Sequence, residues 1–408
     1  MRSSQRYFVI PLALGLILAA CGGSDSASDT TAAPVDSAVV TTVAEVTETT
    51  AVTDTTAVTD TTAPTDPAQS EGMARAQAVV DANKEAPTAI GPTIPLDSVP
   101  EAKTVAWLQC SLPSCAAIGV GFKNATDALG WKLEVVTYET DAAAAFQQAI
   151  DLGVDYVAST GTSQAVLQDQ IDAAAAAGIA YFSCFDTSAP EQEANNIWTQ
   201  CGDATAVTVA GDRIANQVIV DSGGTANVLM VNIPDFAVLV SEREGSEAAY
   251  KANCPDCKFT ELALTLDQLL AGEVAGAVVS AVQADPTIDY IHFAFDGLTT
   301  GVSTTLADAD LLEGRSLVGV DFSGAVLQEI VDGTMKFWTA NPKEYSAWLM
   351  VDGMARHAIG QANTEERANA ILPSFTVSSP EQAAPLVASD GWPGPDGMAE
   401  QFKTLWGV

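Results

Sequence analysis

From about residue 103 onward, short unbroken apolar runs alternate with longer stretches in which apolar positions recur every three or four residues. The first pattern suits a strand buried on both faces, the second a helix with one covered side. Thr104 to Gln109 is such a run, Cys110 to Cys115 reads as a loop, and the periodic stretch beyond it stops at Gly130. The same unit recurs through residue 360. Strands are predicted at Thr104 to Gln109, Lys132 to Tyr138, Tyr156 to Ser159, Ala180 to Cys184 and Asn196 to Cys201. A second set follows at Ala226 to Asn232, Lys258 to Leu264, Tyr290 to Ala294, Ser316 to Val320 and Lys336 to Thr339. Between them, Asp141 suits a cap for Ala142 to Leu152, Thr162 or Ser163 for the helix ending before Gly178, and Asp203 for the helix running to Ser222. Alternation of this length predicts an α/β chain with parallel sheets covered by helices on both faces, whose ligands bind at the carboxyl ends of the strands.

The N-terminal region has neither pattern. Arg2 and Arg6 precede the apolar run Tyr7 to Ala20, too short to span a bilayer but right for a signal-peptide core. The run ends in Leu18-Ala19-Ala20-Cys21, similar to the lipobox of bacterial lipoproteins, so residues 1–20 are expected to be a signal peptide and Cys21 the lipidation site. The expected location is the extracellular face of a bacterial cell membrane. Residues 21–72 form a tether in this reading. From Gly22 to Ser70 there is no Lys, Arg, Trp, Phe or Tyr, and the near-copies TTAVTD, TTAVTD and TTAPTD mark low complexity. A flexible chain of about 50 residues reaches roughly 40 Å.

Charge narrows the function classes. The formal net charge of -35 leaves no basic stripe for phosphates and argues against nucleic acid. Enzyme signatures are weak. Gly119-Val120-Gly121 begins a dinucleotide fingerprint, but position 124 is Asn and the pair lies inside the first helix, where close helix packing explains it. The two histidines, His292 and His357, sit in no metal or nucleophile motif. No catalysis, cofactor or metal is expected.

The roughly 300 residues after Ala74 exceed what one core spans, so two lobes are expected. Two consecutive five-strand sets resemble the type I periplasmic binding protein fold of ribose- and galactose-binding proteins. Ala284-Asp285-Pro286-Thr287-Ile288-Asp289-Tyr290-Ile291 is similar to the family's lead-in to a strand, Val318-Gly319-Val320-Asp321 to its strand end, and Lys403-Thr404-Leu405-Trp406-Gly407 to the ending of several solute-binding members. The resemblance implies two doubly wound lobes joined by a three-crossing hinge near Asp203, Ala340 and Leu372. Lobe 1 would hold 103–203 plus 341–372, lobe 2 would hold 204–340 plus 373–395, and 396–408 would be a tail. It also implies a monomer that captures a small molecule between the lobes and delivers it to an ABC permease. A ligand sensor read by a signalling partner is the alternative.

Six cysteines remain after Cys21, at 110, 115, 184, 201, 254 and 257, and outside the cell they should be oxidised. Six allow 15 pairings. The economical set joins Cys110 with Cys115, Cys184 with Cys201, and Cys254 with Cys257. The CxxC spacing of the last pair also fits a redox centre or half a zinc site, but it precedes a strand rather than a helix and no second pair completes a zinc set.

Laid on this chain, the family's sugar-binding positions show departures. The first-loop aromatics fall on Leu112-Pro113-Ser114-Cys115, the Asp-Arg pair on Phe185-Asp186, and the Asn after the eighth strand on Phe295, with Asp296 next to it. Asp321 is kept at the ninth strand end. Asp141 suits a helix cap as well as a ligand contact. Phe236, Ser241 and Arg243 open the helix where the family has a binding Arg, and Trp338 lies at the crossing. Losing several bidentate polar groups argues against a pentose held as ribose is. The expected ligand is small and neutral or weakly cationic, a sugar or sugar derivative, with an aromatic or apolar compound as the alternative.

Overall fold

A computed structural model describes residues 67–185, 196–199, 201, 204–361 and 372–408. The expected signal segment, Cys21, almost all of the tether and Asp186 lie outside the described residues.

Five strands, β1 (Thr104–Cys110), β2 (Lys132–Tyr138), β3 (Tyr156–Thr160), β4 (Ala180–Cys184) and β5 (Ile197–Thr199), pair in parallel in the order β2-β1-β3-β4-β5. A second sheet repeats that order with β6 (Asn227–Asn232), β7 (Lys258–Ala263), β8 (Tyr290–Phe293), β9 (Ser316–Val320) and β10 (Met335–Thr339) as β7-β6-β8-β9-β10, and the short β11 (Thr376–Val377) adds antiparallel beyond β10. Each sheet is doubly wound, with strand order reversing beside β1 and β6, and the crevice for a ligand opens at such reversals. These are the parallel sheets that the apolar pattern predicts, in the two lobes that the chain length and the family resemblance imply.

Helices α2 (Pro113–Ala128), α3 (Ala142–Asp151) and α4 (Gln164–Ala177) belong to the first sheet. Asp141 caps α3 by accepting from Ala144 N at 2.9 Å, and Ser163 caps α4, whose end is closed by Gly178 in the left-handed region. The second sheet carries α5 (Ala204–Asp221), α6 (Ala237–Asn253), α7 (Leu266–Leu270), α8 (Val274–Ala284), α9 (Val302–Asp308) and α10 (Gly324–Val331). The chain then returns to lobe 1 in α11 (Lys343–Ala358), whose Tyr345, Trp348 and Met354 are buried in the same core as Trp107, Phe122 and Phe182. Gly121 makes that return possible. A Cβ there would lie 2.6 Å from Glu344 O, so α2 and α11 approach backbone to backbone, and the glycine pair serves packing, not a dinucleotide.

Two further passages join the lobes besides the three of the fold. Helix α1 (Pro67–Ala82) begins inside the expected tether and buries Ala76 in the core of lobe 2, while Arg75 Nε donates to Asn253 Oδ1 at 2.9 Å. The chain then runs as a strap. Thr376 N donates to Asn83 O at 2.8 Å on lobe 2; further on, Ile90 is buried in the core of lobe 1 and Leu96 N donates to Leu405 O at 2.9 Å. At the other end, α12 (Pro380–Val387) packs on α10, whereas the expected tail folds as α13 (Met398–Trp406) against α11. A buried Asp352 ties this corner together, accepting from Arg356 Nε at 2.9 Å and Trp406 Nε1 at 2.8 Å while Arg356 Nη2 donates to Ile94 O on the strap.

The cysteines pair as the economical set, with Cα separations of 5.5 Å for Cys110–Cys115, 5.6 Å for Cys184–Cys201 and 5.3 Å for Cys254–Cys257. Cys254 follows α6 and Cys257 leads into β7, so neither opens a helix.

Candidate functional site between the two sheets

A cavity of about 180 Å³ lies where the carboxyl ends of the two sheets face each other, lined by both lobes and by two of the crossings. Lobe 1 brings Cys110, Leu112, Ser114, Cys115 and Ile118 from the first loop and α2, Tyr138 and Thr160 from strand ends, and Phe185 from just beyond β4. Lobe 2 brings Arg213 from α5, Phe236, Leu239 and Glu242 from α6 and its approach, and Phe295 and Asp321 from beyond β8 and β9. The crossings add Ala340 to Lys343 and Leu372 to Ser374.

Phe185 and Asp321 share an unusual backbone, with φ of 55° and 61° in the left-handed region. An aspartate tolerates this region, but an aromatic residue there is disfavoured, and such strain persists where surrounding structure fixes it, often at binding sites. Asp321 is held by its own N–H donating to Thr339 O at 2.9 Å.

The electrostatic centre is Lys343, the first residue of α11. Its Nζ lies 2.9 Å from Asp321 Oδ1 and 3.6 Å from Asp296 Oδ2, and all three side chains are nearly buried. The two carboxylates more than offset the burial penalty on the ammonium and keep it protonated. Burial pushes the Asp321 carboxyl above its ordinary value, with Lys343 opposing that shift and Asp296 adding to it.

Beside this cluster, Glu242 is buried with Oε1 3.3 Å from His292 Nε2 on β8, a contact without hydrogen-bond geometry. Burial holds Glu242 well above the usual carboxylate range, with the Asp321 charge adding to it, and burial drops His292 to about 3. Burial thus favours the uncharged form of both groups. Glu242 can donate a hydrogen bond into the cavity, while Asp321 can accept one.

Of the residues singled out from sequence, Leu112, Ser114, Phe185, Phe236, Phe295 and Asp321 meet at this cavity, and Asp296 sits behind it on Lys343. Four others lie elsewhere. Asp141 is occupied as the α3 cap. Trp338 is fully buried and stacks on Phe293 at 6.1 Å in the core of lobe 2. Ser241 bonds back to Ala237 O within α6. Arg243 faces outward to Glu247 Oε2 at 2.8 Å and Glu261 Oε2 at 3.7 Å. The helix explains the miss, since one residue is a turn of about 100° and the neighbour Glu242 takes the inward position. Sequence reasoning also missed Lys343 and Arg213. A lysine after a proline at a crossing reads as surface, and no local pattern marks an arginine on α5 as facing a cleft. His357, by contrast, is exposed near the end of α11, away from the cavity, and meets Tyr156 OH through Nδ1 at 3.1 Å.

The periodic, two-lobed part of the chain has a family. The pattern of the periplasmic binding protein domain matches residues 112–362, more than half of the chain. The chain belongs to the periplasmic binding protein family. That is a family of small-molecule-binding proteins, not of enzymes. Solved structures agree in fold. A sugar ABC transporter protein from Yersinia enterocolitica subsp. enterocolitica 8081 superposes with a TM-score of 0.61 at 18% identity, covering 78% of this chain and 98% of its own. The 5-methylthioribose transporter solute-binding protein from Thermotoga lettingae TMO gives 0.60 at 15% identity, covering 76% and 99%. An ABC transporter solute-binding protein from Mycobacterium smegmatis with bound glycerol gives 0.59 at 18%, covering 72% and 99%. No curated protein matches the chain in sequence.

For this binding protein, the buried acid of the cleft generates a pH signature. Glu242 has a folded pKa raised above its ordinary 4.5, so from pH 4.5 up to that value the folded protein holds a proton that the unfolded chain has lost. The stability this group contributes is full below pH 4.5 and is lost as pH rises through the folded pKa. The neutral isostere Glu242→Gln should therefore gain in melting temperature on the wild type progressively as pH rises above 4.5. His292 and Asp321 remain in both proteins, so the difference reads Glu242 together with its interactions with these two neighbours. A difference that stays constant with pH would show that Glu242 titrates as an ordinary carboxylate.

Proposed function

We propose that the protein is a lipid-anchored capture protein of an ABC importer, binding a neutral sugar or sugar derivative in the cleft between its lobes. The observation that carries this reading is Asp321, a buried carboxylate at a lobe 2 strand end that shares the cavity wall with residues of lobe 1. A ligand that touches both walls favours the closed arrangement by the contacts it adds, and closure is a signal that a permease can read. Because Lys343 already neutralises Asp321, the site does not demand a cationic ligand. Asp321 as acceptor and protonated Glu242 as donor match the two capacities of a hydroxyl group. Two fold neighbours support the ligand class: one is named for 5-methylthioribose transport, and another, from Acidothermus cellulolyticus 11B, was solved with myo-inositol.

Asp321→Asn keeps the shape and removes the charge. Calorimetry with a sugar selected by thermal-shift screening should find it weaker by about 10- to 150-fold, or 1.5–3 kcal/mol, as for a hydrogen bond to a charged group. Unchanged affinity in a folded Asp321→Asn variant would remove the carboxylate from the site.

The anchor part of the proposal rests on Leu18-Ala19-Ala20-Cys21. Cys21→Ala should release the protein from the membrane fraction on cell fractionation. Undiminished membrane partitioning of that variant would refute it.

A further inference from the structure

Apolar side chains line the cavity from both lobes, but its acidic and basic groups lie on one side. Every acidic or basic side chain in its lining comes from lobe 2 or a crossing, namely Arg213, Glu242, Asp321 and Lys343. Lobe 1 faces them with Leu112, Ile118, Phe185 and the Cys110–Cys115 disulfide. Its polar side chains are the hydroxyls of Ser114, Tyr138, Thr160 and Thr162, and those of Tyr138 and Thr162 lie 3.4 Å from each other. This apolar wall is preset. The disulfide closes the loop carrying Leu112 across a sequence separation of only 5, and the fold keeps Phe185 at the cavity in a backbone conformation that its side chain disfavours.

A molecule with hydroxyls on every side does not suit such a cleft. On lobe 2 and the crossing, Arg213, Glu242, Asp321 and Lys343 offer charged or ionisable partners among apolar neighbours such as Phe236 and Phe295, whereas on lobe 1 a hydroxyl pressed against Leu112, Ile118 and Phe185 is left without one, which costs roughly 5- to 150-fold in affinity. An apolar group in the same place gains by leaving water. We propose that the ligand is amphipathic: a hydroxylated sugar ring seated on lobe 2 and the crossing, carrying an apolar substituent that lobe 1 covers on closing. This rests on the sugar-binding reading above and deepens it, since Asp321 and Glu242 select the ring while Phe185 and Leu112 select the substituent.

The test is calorimetry on the full chain in detergent with matched probes. Methyl, butyl and phenyl glycosides are compared with their parent hexoses, and 5-deoxy-5-alkylthio pentoses with their parent pentoses. In at least one series the substituted sugar should bind tighter than its parent, by about fourfold for each added methylene until the wall is filled. Phe185→Ser should narrow that ratio, while Asp321→Asn should weaken parent and substituted sugar by the same factor. If parent sugars bind as tightly as their substituted forms in every series, the inference is overturned and the sugar-binding function stands. If no saccharide of either kind binds, the function reading itself fails and takes the inference with it.

Discussion

A buried lysine shared by two buried aspartates holds the cleft in its present form. Lys343 opens α11, a helix whose body is packed into lobe 1, yet its ammonium is spent on Asp321 and Asp296 at strand ends of lobe 2. Taking three such groups out of water costs several kcal/mol per ion, and their mutual attraction repays this only while all partners stay in place. The arrangement therefore fixes where the crossing meets the second sheet. It also decides the character of the site. Lys343 opposes the charge of Asp321 while leaving it an acceptor, and burial favours the uncharged, donating form of Glu242 beside it.

The lobes are joined at more than the crossings of the fold. The strap between α1 and Ile90 begins on lobe 2 and ends in the core of lobe 1, and the segment from Trp392 to Met398 does the same at the other end of the chain. The Asp352, Arg356 and Trp406 cluster seats the strap and the last helix on one helix of lobe 1. Opening and closing must be accommodated by backbone rotation at each of these passages, since the helices on either side are locked into their own cores.

The fold was readable because its signals are local and repeated. Unbroken apolar runs gave strand positions that the sheets reproduce to within about a residue at most ends, and Asp141, Ser163 and Gly178 marked helix ends by their capping chemistry. Pieces whose stability comes from distant partners were not readable. Helix α1 starts in Thr- and Ala-rich sequence and is recruited by Asn253 and the α5–α6 surface, and α13 looks like a tail until Trp348 and Asp352 are seen beneath it. The site divides the same way. Leu112, Phe185, Phe236, Phe295 and Asp321 could be found because they follow strands at family positions. Glu242 was missed by one residue on a helix, and Lys343 because only the tertiary placement of Asp296 and Asp321 explains burying a lysine.

The central claim is that one ligand is gripped by both lobes across this cavity. Hydrogen exchange measured by mass spectrometry on the full chain, with and without a saturating sugar, tests it most directly, because slower exchange marks backbone that the ligand orders or shields. The account predicts that protection rises together in peptides covering 110–118 of lobe 1, 236–242 and 320–322 of lobe 2, and 340–345 at the crossing. Protection confined to one lobe, or lying mainly outside these segments, would contradict it.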